Sequence, residues 1–223
     1  ALGGPANPPV IKMNVRYTFN NDGTLDIDAD GTVRENVPVL PRLGIELTMK
    51  NECELIRYFG LGETESYPDR WQACRYGEYE LTVTDNFVHY VRPQENMAHA
   101  DTKWVAVTDE SRHGLLALAD EKDISFNCSH FTPEQIAKTA HDYELVPLKE
   151  TVVNIDYRHT GIGSNSCGPA LLPEFRFDEK EFTFIAIGDT QGETWEGTFH
   201  DRDADPLKRT LPDGTVTWGK LVD

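Results

Sequence analysis

Carboxylates at short spacing are the first places to look for chemistry in these 223 residues. Glu63 and Glu65 stand two apart in the run Tyr58-Phe59-Gly60-Leu61-Gly62-Glu63-Thr64-Glu65-Ser66-Tyr67-Pro68-Asp69-Arg70. On an irregular loop such a pair can reach the ~5–5.5 Å that a retaining glycosidase needs between its two carboxyls. One of them must then have a raised pKa, which takes an apolar pocket; the surrounding residues spell none. In a chain with 38 acidic residues close glutamates also arise by chance, so the pair reads as loop surface. Asp26-x-Asp28-x-Asp30-Gly31 opens like an EF-hand calcium loop, but Val37 stands where that loop needs its bidentate glutamate. The reading is a strand with outward carboxylates and an Asp-Gly turn. His99-x-Asp101 is the nearest approach to ligand spacing among seven dispersed histidines. Zinc sites cluster more tightly, so no metal is expected.

Gly161-Ile162-Gly163-Ser164-Asn165-Ser166-Cys167-Gly168-Pro169 is a better candidate for binding. Its glycines free the backbone, while Ser164, Asn165 and Ser166 offer donors and acceptors on short side chains. Cys167 fits either a ligand-facing position or a small buried apolar one. Function and structure are evenly matched here on residue types alone. Tyr90-Val91-Arg92-Pro93-Gln94-Glu95-Asn96 sets amide, carboxylate and guanidinium groups beside a proline bend. Its chemistry suits buried backbone at a strand crossing better than sugar hydroxyls. Asp69 and Arg70 pin loops as readily as they bind ligands.

These groups must be positioned by strands. Val10 to Phe19 is strand-like, and Asn20-Asn21-Asp22-Gly23 follows as a hairpin turn. Leu25, Ile27 and Ala29 alternate with Asp26, Asp28 and Asp30, the period of a half-buried strand. Further strands are predicted at 40–50, 55–59, 78–84, 103–108, 114–118, 123–128, 151–157, 173–178 and 181–187. One helix is predicted: Thr132 caps it, Pro133 fits its first position, Gln135 completes a capping box, and it ends near His141. Many short strands separated by turns imply a sandwich. A change of character near residue 201 introduces an acidic tail, with a small hairpin expected around Pro212-Asp213-Gly214.

Composition narrows the function classes. A net charge of −17 and a pI near 4.7 argue against nucleic acid and anionic membranes as partners. A neutral ligand such as a sugar is compatible with that charge. No run approaches the ~18 apolar residues of a membrane span, and residues 1–9 read as a linker or boundary with no basic-then-apolar leader. Cys53, Cys74, Cys128 and Cys167 are scattered without paired spacing, which fits thiols in a reduced, cytoplasmic setting.

Several of these segments, taken in order, also carry a resemblance. Leu40-Pro41-Arg42-Leu43-Gly44, Phe59 to Arg70, Tyr90 to Asn96, and Asn154-Ile155-Asp156 with Gly161 to Pro169 form four blocks. They resemble the C-terminal domain of large β-galactosidases of glycoside hydrolase family 2, which also occurs as a separate small subunit. The likeness runs from about Val15 to Ile187. It implies an all-β, galactose-mutarotase-like β-supersandwich with one short helix, here over residues 10–200, incomplete on its N-terminal side and followed by a 201–223 extension. In that family the catalytic glutamates lie in a separate (β/α)₈ barrel, which takes ~250 residues. The resemblance therefore implies a chain without catalytic residues, metal or cofactor. Its partners would be a catalytic barrel domain or large subunit and a β-galactoside such as lactose, in an oligomeric, cytoplasmic enzyme. Ser164, Asn165, Ser166 and Cys167 would meet substrate, supported by Tyr67, Asp69, Arg70, Glu95 and Asn96. Better-known members have tryptophan near Cys167 and glycine at Met97. The rival readings are a carbohydrate-binding module and a mutarotase-like aldose epimerase, the latter requiring a His/Glu acid–base pair in one pocket.

Overall fold

The computed structural model describes residues 8–21, 23–119, 122–163, 167–189, 195–196, 208–210 and 216–218, with side chains as far as residue 183. The described residues fold into antiparallel sheets with one short α-helix. Strands β1 (Ile11–Phe19), β2 (Thr24–Val33), β3 (Arg42–Lys50), β4 (Leu55–Gly62) and β5 (Arg75–Thr82) come first. They are followed by β6 (His99–Thr102), β7 (Trp104–Thr108), β8 (Gly114–Ala119) and β9 (Ile124–Ser129). After the helix α1 (Pro133–Lys138) come β10 (Glu150–His159) and β11 (Glu181–Asp189).

One sheet has seven strands in the order β1-β2-β11-β8-β7-β4-β5; the facing sheet has four, in the order β3-β10-β9-β6. Alternation decides how they stack. In β2, Ile27, Ala29 and Val33 are buried while Asp26, Asp28 and Asp30 are not, so that strand is half-buried as its two-residue period predicts. Ile56, Tyr58, Val105 and Val107 from the larger sheet meet Phe126, Val153 and Ile155 from the smaller in one core. Each such side chain contributes about 1.5–3 kcal/mol by leaving water. Central strands have two covered faces. Phe59, Trp104 and Leu116 form a second cluster, and β10 is buried continuously from Thr151 to Tyr157. That continuity matters, because it buries the polar residues Asn154 and Asp156.

Three local expectations are corrected. Residues 173–178 are not a strand: Pro173–Phe175 forms a 3₁₀ turn, and only Phe177 makes a bridge, to Leu40. Proline at the start of that turn suits a helical turn better than a ladder that needs its N–H. The helix ends at Lys138 rather than near His141, because Thr139 is already extended. Thr132 caps it by accepting from the Gln135 amide at 3.1 Å, but the Gln135 side chain leaves the capping box and donates to the Val146 carbonyl. The sequence reading also missed β6, which is only four residues long and irregular: Asp101 within it and Met97 before it have φ near +50°.

Part of the tail is described. Trp195–Glu196, Lys208–Thr210 and Val216–Trp218 (β12 to β14) form a three-stranded antiparallel sheet. The turn expected at Pro212-Asp213-Gly214 lies between the last two strands, outside the described residues. Among the described residues no helix is long and apolar enough to cross a membrane.

Candidate functional site

Asp69 joins the two glycine-rich segments. A reciprocal pair of backbone hydrogen bonds between Tyr67 and Arg70, at 3.0 and 2.9 Å, closes a tight turn that presents the Asp69 carboxylate. Its oxygens accept from the Ile162 amide at 2.8 Å and the Gly163 amide at 2.7 Å. Two successive N–H groups converging on one carboxylate make a strong, directional clamp. The local sequence permits it for steric reasons. A Cβ on Gly161 would sit 2.6 Å from the Asp69 carboxyl carbon, and Gly163 has φ +71°. Beyond the clamp, Ser164, Asn165 and Ser166 lie outside the described residues; Cys167 is exposed. All four cysteines are thiols in the structure.

A second linkage is centred on Arg42 at the start of β3. Its guanidinium forms a two-pronged bond to Asp156 on β10, through Nε at 3.2 Å and through Nη2. The remaining prong reaches Glu95 at 3.4 Å. The β3–β10 register shifts between Asp156 and Arg158, and Gly44 makes room there: a Cβ on it would meet the Ile155 carbonyl and the Asp156 carboxylate. Glu95 approaches His159 at 3.8 Å, too far for a hydrogen bond but close enough for charge to act. The His159 ring packs edge-on against Tyr67, with centroids 5.3 Å apart. Burial disfavours the Arg42 charge, but Asp156 and Glu95 outweigh it and raise the guanidinium pKa. Burial raises the Asp156 carboxyl against the pull of Arg42. Burial also pushes Glu95 upward, yet His159 and Arg42 prevail and hold it below the usual carboxylate range.

Glu65 ties the first segment to the 90–97 segment. It is 8% exposed, pairs with Arg70 at 2.7 Å, and accepts from the Tyr90 hydroxyl at 3.4 Å and the Met97 amide at 2.9 Å. Glu63, by contrast, is exposed. Asn96 accepts from the Val88 amide and donates to the Gln94 carbonyl, each at 2.9 Å, while the Tyr67 hydroxyl lies 3.5 Å from the Ala98 amide. His99 is fully buried: Tyr58 Oη lies 3.0 Å from Nδ1, and Asn86 Oδ1 lies 2.8 Å from Nε2. Asn86 spends its Nδ2 on the Cys128 carbonyl, so its Oδ1 accepts and the His99 proton sits on Nε2. Burial drives the His99 pKa down to about 3. This ring is held as a neutral structural group, and Asp101 two residues on is exposed. Among the described residues no cluster of three His, Cys, Asp or Glu side chains forms a metal site.

The fold thus draws the Leu40–Gly44, Phe59–Arg70, Tyr90–Asn96 and Asn154–Gly163 segments into one connected region. Sequence reasoning singled out Asp69, Arg70, Tyr67, Glu95 and Asn96 there. It did not single out Arg42, Asp156 or His159, and it read Glu65 as loop surface where the fold buries it. The available signal was an ionisable residue inside a strand-like run, as in Leu40-Pro41-Arg42-Leu43 and Asn154-Ile155-Asp156-Tyr157. Two clefts border the region. One of about 370 Å³ is lined by Arg42, Glu95, Asn96 and Asn127; another of about 700 Å³ is lined by Tyr67, Trp71, Tyr157 and His159.

Residues 4–186 match the family model for the beta galactosidase small chain. The chain is similar to a beta-galactosidase of Staphylococcus xylosus, at 34% identity over 184 residues, 82% of this chain and 18% of that protein. It is also similar to a beta-galactosidase of Actinobacillus pleuropneumoniae, at 34% identity over 173 residues, 78% of this chain and 17% of the other. For a beta-galactosidase of Vibrio vulnificus strain YJ016 the identity is 29%, over 75% of this chain and 16% of that protein. The chain therefore spans less than a fifth of the length of these curated relatives.

Proposed function

We propose, since this chain belongs to the β-galactosidase small-chain family, that it is a non-catalytic portion of a β-galactosidase. In this reading a larger catalytic part carries the nucleophile and the acid/base. The present chain borders the side of the site where the leaving sugar sits. Ser164, Asn165, Ser166 and Cys167 are the groups that meet that sugar, and the substrate is a β-galactoside such as lactose. The supporting observation is the Asp69 clamp, which fixes the start of the loop at Ile162 and Gly163 while Cys167 is exposed. A loop whose base is clamped in this way suits contact with a ligand on another domain.

The epimerase reading has less support. His159 and Glu95 do form a His/Glu pair, but they stand 3.8 Å apart with Glu95 also engaged by Arg42. An acid and a base must bracket a sugar ring, and a pair this close leaves no room for one.

Two assays test the proposal. The chain alone should not hydrolyse a chromogenic β-galactoside; turnover lost on mutating Glu63 or Glu65 would overturn the non-catalytic reading. In the assembled enzyme, Cys167→Trp should strengthen glucose or lactose binding by ~0.5–1.5 kcal/mol, the scale of aromatic packing, with little change for an aryl galactoside. Cys167→Ala should be mild. Equal loss of stability from both variants, with no change in acceptor preference, would place Cys167 in packing and the loop away from the site.

A further inference from the structure

The larger cleft, of about 700 Å³, is not absorbed by the proposal above. Its volume falls within the ~300–1,000 Å³ range of small-molecule sites. Trp71 lines it and is 46% exposed, a large apolar ring left partly uncovered beside the Asp69 turn. Polar groups elsewhere in the lining are already tied to one another. Lys103 pairs with Asp123 at 2.6 Å. Lys122 donates to the Tyr157 hydroxyl at 3.0 Å, and that hydroxyl donates to Glu179 at 2.8 Å. Glu179 also pairs with Arg158. Donors and acceptors are therefore held in place before any ligand arrives, which lowers the ordering cost of binding.

Charge narrows the ligand. Three cations line the cleft (Lys103, Lys122, Arg158) against four carboxylates (Asp101, Asp123, Glu174, Glu179), a formal balance of −1 on a chain of net charge −17. Such a nearly compensated lining does not select a free anion or a strong cation. It suits a neutral molecule with an apolar face for the indole and hydroxyls for the fixed ion pairs. We propose that this cleft is a second saccharide site, binding a neutral mono- or disaccharide with one pyranose face against Trp71. Its lining residue Phe175 accepts from the Gly161 amide at 2.9 Å, so the cleft adjoins the base of the Gly161–Pro169 loop but is lined by none of that loop's described residues, and binding there needs no catalytic partner.

The test uses the full 223-residue chain, which has four tryptophans. Indole N–H resonances are followed by NMR as lactose, galactose or glucose is added, with glucuronate and glycerol as controls. The resonance absent from Trp71→Phe identifies Trp71. It should shift saturably with a neutral sugar, with a Kd of about 1–10 mM, and not with glycerol. Glucuronate should bind more weakly than glucose. By an independent binding measurement, Trp71→Ala should weaken the sugar about tenfold, as expected for loss of an aromatic anchor. Glu179→Gln, which disturbs the polar wall and leaves the indole in place, should weaken it as well. No saturable shift at ~100 mM of any sugar would overturn the proposal, as would binding unaffected by both variants. The readout is confined to this cleft, so its failure leaves the loop reading standing, and failure of the Cys167→Trp test leaves the cleft reading standing.

Discussion

Replacing Asp69 with alanine isolates the link on which the candidate loop depends. The carboxylate accepts from two successive amides, Ile162 at 2.8 Å and Gly163 at 2.7 Å. Hydrogen bonds to a charged group are each worth about 1.5–3 kcal/mol. Asp69 is only part-buried, so the lower figure is appropriate and the pair contributes about 3 kcal/mol. If that energy holds the loop closed, Asp69→Ala should raise the open population about 150-fold, at 1.4 kcal/mol per factor of ten. Amide hydrogen exchange reads this directly, because local opening is reported residue by residue. Protection at Ile162 and Gly163 should fall by that factor. Global stability, and with it the protection in β10 and β4, should fall by no more than the same ~3 kcal/mol, and the fall at Ile162 and Gly163 should be present well below the denaturation midpoint. Asp69→Asn retains a single acceptor oxygen and sets an NH₂ against one of the amides, so its effect should be nearly as large. Unchanged protection in Asp69→Ala would refute the clamp. So would a global loss of about 3 kcal/mol with the loop still protected, since Asp69 would then support the whole fold.

The buried His99 makes stability depend on acid. Its folded pKa of about 3 lies below the ordinary value of 6.5, so between these values the unfolded chain binds the extra proton. Its contribution is complete above pH 6.5 and lost as pH falls toward 3, by about 2 kcal/mol at pH 5. Denaturant titrations at pH 7 and pH 5 should show that extra loss in the parent and not in His99→Gln; equal losses in both would exclude His99 as the cause. Gly44→Ala should cost about 3 kcal/mol or more by overpacking, because its Cβ would lie 2.6 Å from Asp156 Cα and also meet the Asp156 carboxylate. A loss below about 1 kcal/mol in the same titration would show that β10 relaxes freely there.

Much of the architecture was legible in one dimension. The Leu25-x-Ile27-x-Ala29 alternation predicts a half-buried strand because side chains alternate across a sheet, and Ile27 and Ala29 are buried as that period requires. Thr132 and Pro133 mark the helix start because capping uses groups within one turn. Elements shaped by distant contacts were less visible. Residues 173–178 look strand-like by composition, but no neighbouring strand accepts their ladder, and β6 is too short to show a period.

By itself the sequence determined the all-β class, the family, and the segments that matter, since periodicity, turn chemistry and ordered blocks are local properties. Only the tertiary structure decided what those segments do to one another. Asp69 lies 93 and 94 residues from the amides it holds, and Arg42 lies 114 residues from Asp156. A carboxylate's partner depends on where two loops close in space, and nothing in its own neighbourhood distinguishes it from the chain's other acidic residues. For the same reason Glu63 and Glu65, two apart in sequence, separate into one exposed and one buried group. Burial and pairing are properties of the packed chain, so they settle only when the sheets meet.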